Sequence, residues 1–471
     1  MLCVWKMIME EINKIKFGTD GWRGIIAKDF TFSNIRIASQ AVSDYINSEL
    51  YDSKYAKSVI IGYDNRFLSE KFASEVARVI MANNIEAKVS KTAVTSPSIS
   101  LFCKENNCLG IMITASHNPP IWNGLKVKLQ YGSSVSQEVI NKISDFLYKN
   151  SVNTGNKEII FVDVLNSYKK YLKSMVSIKS LLKLKIVIDS MNGSGAGIYE
   201  SFFKKEKIYS VRNYRDPMFS GVNPEPIEKN LNELKKEILK NNADVGFAFD
   251  GDADRLGVID DRGRYLPPHI VFPLILLYLI EGRKLKGNIV QTISLGYISE
   301  RIAKKYSIPL EEVSVGFKYV CEKMLIKDVL LGGEESGGYG WKGGIPERDG
   351  ILNALLLTEM LIKTKKKLSF LVDDMQKKFG KSCYMRKDIK LKQPVDKEKF
   401  TNKVKEIISK EKNIKEIRAY DGIKIVFDND SWLLLRPSGT EPVLRTYSET
   451  ESVNNTKKLL DFAEEICLNL L

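Results

Sequence analysis

The sequence predicts a protein of several mixed α/β domains that ends in a smaller α+β domain. Its 471 residues are more than one hydrophobic core usually organises. Strand and helix patterns alternate through most of the chain, whereas the C-terminal part carries the pattern of a β-hairpin. A hydrophobic content of 44% fits an ordinary globular protein, so large disordered regions are not expected.

Short apolar runs mark the strands of the α/β part. These predicted strands are Ser58–Gly62, Leu109–Ile113, Lys185–Asp189 and Asp244–Phe249. Ser69 is expected to cap a helix whose apolar face includes Phe72 and Val76, and Leu234 and Ile238 mark a later helix. Because the two patterns alternate, we expect helices to cover mostly parallel sheets.

The C-terminal part begins a different pattern. Ile423, Ile425 and Phe427 alternate before a turn at 428–430, and alternation resumes at Trp432, which predicts a hairpin. Leu459, Leu460, Ala463 and Ile466 predict a C-terminal helix. Polar stretches divide the chain into predicted domains at 10–155, 156–262, 263–376 and 377–471. Aspartates that follow strands, at Asp64, Asp189 and Asp250, indicate that the first three are related.

Composition limits the class of protein. The net charge of +14 is explained by a solvated lysine-rich surface, as on the predicted helix 229–240, and we recognise no nucleic-acid-binding module. The apolar run 270–280 is too short to cross a bilayer. Six cysteines without a CxxC pair indicate reduced thiols in a cytoplasmic protein. We therefore expect neither nucleic acid nor membrane as a partner, and a monomer and a homodimer both remain open.

A polar loop, Thr114–Pro119, follows the predicted strand Leu109–Ile113. A serine at a strand end, Ser116, is well placed to act on a ligand. Taken alone, such a loop is more often a simple turn, because its residue types are ordinary turn formers. Other motifs along the chain support a functional interpretation of this loop.

The segment Asp250–Arg255 places three aspartates, Asp250, Asp252 and Asp254, at alternate positions after a strand. Their oxygens suit Mg²⁺, Mn²⁺ or Ca²⁺. An EF-hand is excluded, because its sixth and twelfth positions would be Arg255 and Asp261 here. Arg255 is expected to hold a phosphate oxygen or an aspartate.

Two further motifs predict ligand contacts. In the glycine-rich segment 332–338, Glu334 and Ser336 offer acceptors for sugar hydroxyls. The segment Arg436–Pro442, with Arg445 just beyond, combines arginines, hydroxyls and exposed amides into a phosphate cradle. Each motif alone is also compatible with a plain loop.

Together these motifs resemble the α-D-phosphohexomutases, the phosphoglucomutase/phosphomannomutase family. They occur in the family's order and cover nearly the whole chain. The stretches that carry the resemblance are Phe17–Gly24, Thr114–Pro119, Asn123–Lys126, Asp250–Arg255, Gly316–Lys318, Gly333–Gly338 and Arg436–Pro442. The resemblance implies three related α/β domains and a smaller α+β domain around one central cleft.

The resemblance also implies a mechanism. Ser116 would carry a phosphoryl group, and the three aspartates with the Ser116 phosphate would bind Mg²⁺. Phosphoryl transfer to a hexose monophosphate would give a hexose 1,6-bisphosphate, whose other phosphate returns to the serine. Lys126 matches the family's candidate base, and Arg23 and Lys318 match electrostatic positions. The phosphate clamp would comprise Arg436, Ser438, Gly439, Thr440 and Arg445.

His117 is expected to contact phosphate or the loop and not to act as a base on Ser116, since adjacent side chains on an extended loop point apart. Because the sugar must present both ends in turn, we expect the last domain to move about a hinge near residues 370–385.

Alternatives remain at this point. The loop Gly333–Gly338 resembles that of glucose and mannose enzymes more than that of phosphoglucosamine mutase, for which glutamine is expected at Glu335. Glycine at Gly338, where some bifunctional relatives carry histidine, leaves the sugar contacts open. An aspartate-nucleophile phosphotransferase would leave Ser116 idle, and a non-catalytic phosphosugar-binding protein would need a broken site.

Overall fold

The structure is a computed structural model that describes residues 15–18, 21–178, 184–203, 207–393, 395–408, 413–438 and 442–470. Its elements form four successive sheets with their helices. This confirms the predicted order of three mixed α/β parts followed by an α+β part.

The first sheet has six strands in the order β1-β5-β4-β2-β3-β6. Strands β4, β2, β3 and β6 run parallel, whereas β1 and β5 join antiparallel. Alternate residues of β2 enter different cores, Val59 and Ile61 on one face and Ile60 on the other, so helices cover both faces. Its elements are β1 (Trp22–Ile25), α1 (Phe32–Asn47), β2 (Ser58–Tyr63), α2 (Ser69–Ala82), β3 (Glu86–Ser90), α3 (Ser96–Asn106), β4 (Leu109–Ile113), β5 (Trp122–Lys128), α4 (Gln137–Asp145), β6 (Ile160–Val162) and α5 (Leu165–Met175).

Ser69 does not cap α2 as predicted. The residue before the helix is Leu68, in a left-handed conformation with φ 61° and without a side-chain cap. The Ser69 hydroxyl instead donates to Asp64 Oδ1 at 2.9 Å. A local capping rule failed here because a buried aspartate from the preceding strand end competes for the hydroxyl.

The second sheet has the order β11-β10-β9-β7-β8. Strands β8, β7 and β9 are parallel, and β10 returns antiparallel beside β9. The aspartate motif is therefore the turn between β9 and β10. The elements are β7 (Ile186–Asp189), β8 (Ile208–Val211), α6 (Asn232–Asn241), β9 (Val245–Phe249), β10 (Leu256–Asp260) and β11 (Tyr265–Leu266).

The third part begins with a buried helix over the apolar run 270–280, and this helix continues into a short π-helical turn, Tyr278–Gly282. Strands β13, β12 and β14 are parallel neighbours. The elements are α7 (Pro268–Leu277), β12 (Asn288–Thr292), α8 (Tyr297–Tyr306), β13 (Leu310–Val313), α9 (Phe317–Ile326), β14 (Val329–Gly333), β15 (Tyr339–Trp341), α10 (Gly350–Thr364) and α11 (Leu368–Phe379).

The last sheet is antiparallel, in the order β16-β20-β19-β18-β17, and two helices cover its core. The predicted hairpin is β18–β19, and the predicted terminal helix is α13. The elements are β16 (Cys383–Lys390), α12 (Lys397–Ile408), β17 (Ile414–Arg418), β18 (Ile423–Phe427), β19 (Trp432–Pro437), β20 (Val443–Thr450) and α13 (Val453–Leu470). The connection 380–382 separates α11 from β16, and the hinge expected near residues 370–385 stays a prediction.

The chain divides into two compact units. The first comprises Met1–Tyr265, Met324–Ile326 and Gly337–Lys365, and the second Leu266–Lys323, Lys327–Ser336 and Lys366–Leu471. None of the helices in the described part of the chain combines the length and apolar character that crossing a membrane requires.

Candidate active site

Ser116 lies in the loop that connects β4 to its antiparallel neighbour β5. Its side chain is buried, and its backbone is left-handed with φ 51°. The Ser116 N–H donates to Thr114 Oγ1 at 2.9 Å, and the Ser116 hydroxyl donates to Asp250 Oδ2 at 2.7 Å. The predicted nucleophile and the predicted metal loop therefore meet directly.

Arg66 holds this loop and was missed by sequence reasoning. Its buried guanidinium donates to the carbonyl oxygens of Ser116 at 2.6 Å and Asn118 at 2.7 Å. It also donates to the carbonyls of Pro119 at 2.9 Å and Trp122 at 3.0 Å, and to Asp64 Oδ2 at 3.2 Å. All five guanidinium N–H groups are thus used, four of them on one loop. The signal in the sequence that could have indicated Arg66 is its position two residues after Asp64, the aspartate at the end of a strand.

The three aspartates form a buried cluster in which one carboxylate oxygen from each residue lies within 4.8 Å of the other two. They approach the serine loop closely, because a Cβ atom at Gly251 would lie 2.5 Å from the Ser116 carbonyl oxygen. Only glycine permits that approach without displacing the loop. The glycine inside the motif therefore brings the two loops together.

The cluster fits a hard divalent cation. Asp250 uses Oδ2 for Ser116 and Oδ1 for the Arg255 N–H at 3.1 Å. Asp252 Oδ1 and Asp254 Oδ1 are buried and accept no hydrogen bond from any described residue. Buried carboxylate oxygens without a partner are costly, and a magnesium-like ion is the ligand that such oxygens suit.

Basic groups occupy the other oxygens of the cluster. Lys126, buried on β5, lies with Nζ 3.0 Å from Asp252 Oδ2 and 3.4 Å from Asp254 Oδ2. Ser96 donates to Asp252 Oδ2 at 2.5 Å. Arg348 donates to Asp254 Oδ2 at 2.7 Å. Neither Ser96 nor Arg348 was predicted, because both are distant in sequence and belong to no motif recognised beforehand.

These contacts shift the pKa values of the three carboxyl groups in different directions. Burial, followed by the charges of Asp254 and Asp252, raises the pKa of Asp250 well above its usual value. Burial is also the largest single influence on Asp252 and opposes its ionisation, but Lys126, the Ser96 hydroxyl and Arg348 together lower the pKa of Asp252. For Asp254, burial is again the largest influence, and the combined positive charges of Arg348, Lys126 and Arg255 lower its pKa.

His117 lies closer to Ser116 than predicted. The Ser116 Oγ atom is 3.4 Å from His117 Nδ1, because the left-handed backbone at Ser116 turns the two side chains toward each other. The expectation that they point apart was wrong, since the loop is not extended. Burial, then the charges of Arg255 and Arg23, lower the pKa of His117 well below its usual value.

Arg23 and Arg255 also belong to this unit. Arg23, on β1, donates to Asn118 Oδ1 at 2.6 Å and so contacts the serine loop. Arg255 Nε is 4.0 Å from Asp254 Oδ1, and that distance is too long for a hydrogen bond. The first unit thus brings Ser116 together with the predicted metal ligands, the predicted base Lys126 and the predicted electrostatic residue Arg23.

The predicted sugar contacts Glu334 and Ser336 lie in the second unit, directly after β14. The Ser336 hydroxyl donates to the Glu334 carboxylate. Glu335 accepts from the Ser294 hydroxyl, and burial raises the pKa of Glu335. Lys318 is buried near the start of α9, with Nζ 4.8 Å from the centre of the Tyr319 ring.

The predicted phosphate clamp also lies in the second unit. Arg436 on β19 is the direct cross-strand neighbour of Arg445 on β20. Arg436 donates to Asp421 Oδ1 at 2.9 Å, and the Ser438 N–H donates to the Val443 carbonyl at 2.8 Å. Like charges directly opposite each other destabilise a sheet, so this pair suits an anion. Gly439 and Thr440 lie outside the described residues.

The comparisons with known proteins agree with the motifs. Family models for phosphoglucomutase/phosphomannomutase match in order: α/β/α domain I at 14–153, domain II at 166–263, domain III at 267–379, and the C-terminal domain at 391–466.

Curated relatives extend over almost the whole chain. A phosphoglucomutase/phosphomannomutase of Thermococcus kodakarensis is 28% identical, covering 94% of this chain and 96% of that protein. A phosphoglucosamine mutase of Caldicellulosiruptor bescii is 30% identical, with 94% and 96% covered.

Among solved structures, a putative phosphomannomutase from Thermus thermophilus superposes with a TM-score of 0.84 at 29% identity, covering 96% of this chain and 99% of that one. Sequence models, relatives and fold agree over all four domains. The chain belongs to the phosphoglucomutase/phosphomannomutase family of phosphohexomutases.

Proposed function

We propose that the protein interconverts hexose 1-phosphate and hexose 6-phosphate through a phosphoserine at Ser116. The observation that carries the proposal is the 2.7 Å contact between the Ser116 hydroxyl and Asp250 inside the three-aspartate cluster. A hydroxyl fixed against a divalent-cation site is the arrangement that phosphoryl transfer requires, because that chemistry depends on positioning and charge stabilisation.

In the first half-reaction, the bond between Ser116 Oγ and phosphorus breaks while a sugar hydroxyl oxygen bonds to phosphorus. The product is a hexose 1,6-bisphosphate. In the second half, the bond between the other phosphorus and its sugar oxygen breaks while that phosphorus bonds to Ser116 Oγ, and the freed sugar oxygen takes up a proton to give the isomerised monophosphate. The proton of the attacking hydroxyl needs an acceptor, and Lys126 is our candidate from its place beside the cluster.

Asp250, Asp252 and Asp254 would hold Mg²⁺, which would neutralise negative charge on the transferring phosphoryl group. Arg66 keeps the serine loop in place through four carbonyl groups. For the second unit, we propose that Glu334 and Ser336 contact the sugar and that Arg436, Ser438 and Arg445 hold the non-reacting phosphate, with Lys318 contributing positive charge.

Two sugars compete as the preferred substrate. The acidic residue at Glu335 favours glucose, with mannose as a second hexose. The alternative is glucosamine phosphate, which is favoured by the names of several relatives, among them the phosphoglucosamine mutase of Caldicellulosiruptor bescii. We further propose that the protein acts in the cytoplasm on small hexose phosphates, without nucleic acid or membrane.

The test is a mutase assay on glucose, mannose and glucosamine phosphates, with Mg²⁺ and a trace of the matching 1,6-bisphosphate. We expect turnover with at least one sugar and loss of turnover by at least about 1000-fold in Ser116→Ala. Ser43→Ala is a matched control, since the hydroxyl of this buried serine donates to the Ser39 carbonyl within its own helix at 2.9 Å.

Intact-mass measurement locates the phosphate. A covalent phosphate present in wild type and in Ser43→Ala, but absent in Ser116→Ala, is the expected pattern. A phosphate that survives Ser116→Ala and disappears only in Asp250→Asn would refute the serine route in favour of an aspartate nucleophile. No turnover of any of the three sugars would favour a non-catalytic phosphosugar-binding protein.

A further inference from the structure

Three consecutive charged residues before α10, Glu347, Arg348 and Asp349, are buried in the first unit, with 1%, 6% and 1% of their surfaces exposed. Charged side chains are rarely buried without a partner. Each of the three contacts a different element. The burial of these three charged side chains therefore has to be explained by the partners that each of them contacts.

Arg348 contacts the aspartate cluster. Its Nη2 donates to Asp254 Oδ2 at 2.7 Å, the same oxygen that Lys126 Nζ approaches to 3.4 Å. Asp254 Oδ1 accepts no hydrogen bond from the described residues. Arg348 thus determines which oxygen of Asp254 is engaged with protein and which is left for another ligand.

Glu347 and Asp349 fix the arginine from both sides. Glu347 Oε2 accepts from Lys128 Nζ at 2.5 Å and from the Ser134 hydroxyl at 2.6 Å. Asp349 Oδ1 caps α10 through the Leu352 N–H at 2.8 Å and accepts from the Tyr168 hydroxyl at 2.9 Å. With both neighbours anchored, the backbone of Arg348 is held where its side chain reaches Asp254.

The charges within this cluster nearly balance without any metal. Asp252 and Asp254 contact the ammonium of Lys126 and the guanidinium of Arg348, while Asp250 accepts a hydrogen bond from the Ser116 hydroxyl. Removing Arg348 has two opposed effects on a divalent cation. It frees the orientation of Asp254, which weakens binding by about threefold. It also removes a unit positive charge beside the site, which strengthens binding by about tenfold or more even at high effective dielectric. The charge effect is the larger one.

We infer that Arg348 is a positioning residue that serves as the internal counter-ion of the aspartate cluster. Its hydrogen bond occupies Asp254 Oδ2 and leaves Oδ1 for a metal ion, and its positive charge lowers the affinity of the cluster for a divalent cation. The inference rests on the metal site of the proposed function.

The test is calorimetric titration of unphosphorylated protein with Mg²⁺ and with Mn²⁺. We expect Arg348→Gln to bind each ion at least about tenfold more tightly than wild type, equivalent to about 1.4 kcal/mol. Arg348→Lys retains the charge and should stay within about threefold of wild type. Arg212→Gln is the matched control, because Arg212 is another buried arginine of this unit, paired with Asp189 at 2.9 Å. It should leave the metal affinity unchanged.

Melting curves with and without Mg²⁺ extend the test, and Arg348→Met provides a second neutral variant if Arg348→Gln does not fold. The neutral variants should melt below wild type without metal and gain more from added Mg²⁺. Equal or weaker metal binding in both neutral variants overturns the inference, as does the absence of metal binding by wild type. Tight binding in Arg348→Gln without mutase activity in wild type would refute the proposed reaction while supporting this role of Arg348.

Discussion

Replacing Arg66 by lysine should disable phosphoryl transfer more than it destabilises the protein. Lysine keeps the positive charge but has three donors where the guanidinium uses five. At least two buried hydrogen bonds are therefore lost, at about 1–1.5 kcal/mol each, which predicts a loss of about 2–3 kcal/mol in the free energy of unfolding. The carbonyl groups concerned belong to the serine loop, so Ser116 loses its fixed place beside Asp250.

Denaturant unfolding measures the stability loss, and phosphate uptake by Ser116 from the bisphosphate, followed by intact mass, measures the transfer. We expect a fall in kcat of about 100-fold with a smaller change in KM, because a 1 Å misplacement can cost that much. Arg212→Lys is the matched control: it also alters a buried arginine–aspartate pair, but away from the loop. If both variants lose similar stability and Arg66→Lys still accepts phosphate at the wild-type rate, the positioning role of Arg66 is refuted.

Three further predictions follow from single contacts. Gly251→Ala places a Cβ atom 2.5 Å from the Ser116 carbonyl oxygen, so phosphate uptake should fall at least about tenfold while far-ultraviolet circular dichroism stays unchanged; unchanged uptake would contradict the need for close approach. Burial raises the pKa of Asp349 to about 7, so ionisation of this carboxyl lowers the free energy of unfolding as pH rises from about 4 to 7. Asp349→Asn should reduce this pH dependence of the unfolding free energy, measured by urea titration at several pH values; an unchanged pH dependence would contradict the prediction. Removing divalent cations with a chelator should abolish phosphate uptake by wild type and be reversed by Mg²⁺; uptake that persists under chelation would argue against the metal role of Asp252 and Asp254.

The sequence predicted best what depends on neighbouring residues. The strand Leu109–Ile113 has the predicted bounds because a continuous apolar run is the signature of a strand buried on both faces. The three aspartates were correctly grouped because alternate positions in one tight turn bring their oxygens together. The hairpin at β18–β19 was recoverable from alternation and a polar turn for the same local reason.

The contacts that sequence reasoning missed join residues far apart in the chain. Arg66 bonds a carbonyl 50 positions away, and Arg348 bonds a carboxylate 94 positions away. The pairing of Arg348 leaves no local pattern, and the position of Arg66 two residues after Asp64 does not reveal its contacts with the distant carbonyls. The approach of His117 to Ser116 was missed because it depends on one left-handed backbone angle, which favours no residue type strongly enough to be read in advance.

A shared connection explains why the functional loops have fixed shapes. In the first sheet the serine loop leaves the parallel strand β4 and returns on antiparallel β5. In the second, the aspartate turn leaves the parallel strand β9 and returns on antiparallel β10. A short loop held at both ends by neighbouring strands has few conformations to lose, so ordering its polar groups costs little conformational entropy. The same connection is therefore used twice, and the catalytic contact proposed here forms where these two loops meet, between Ser116 and Asp250.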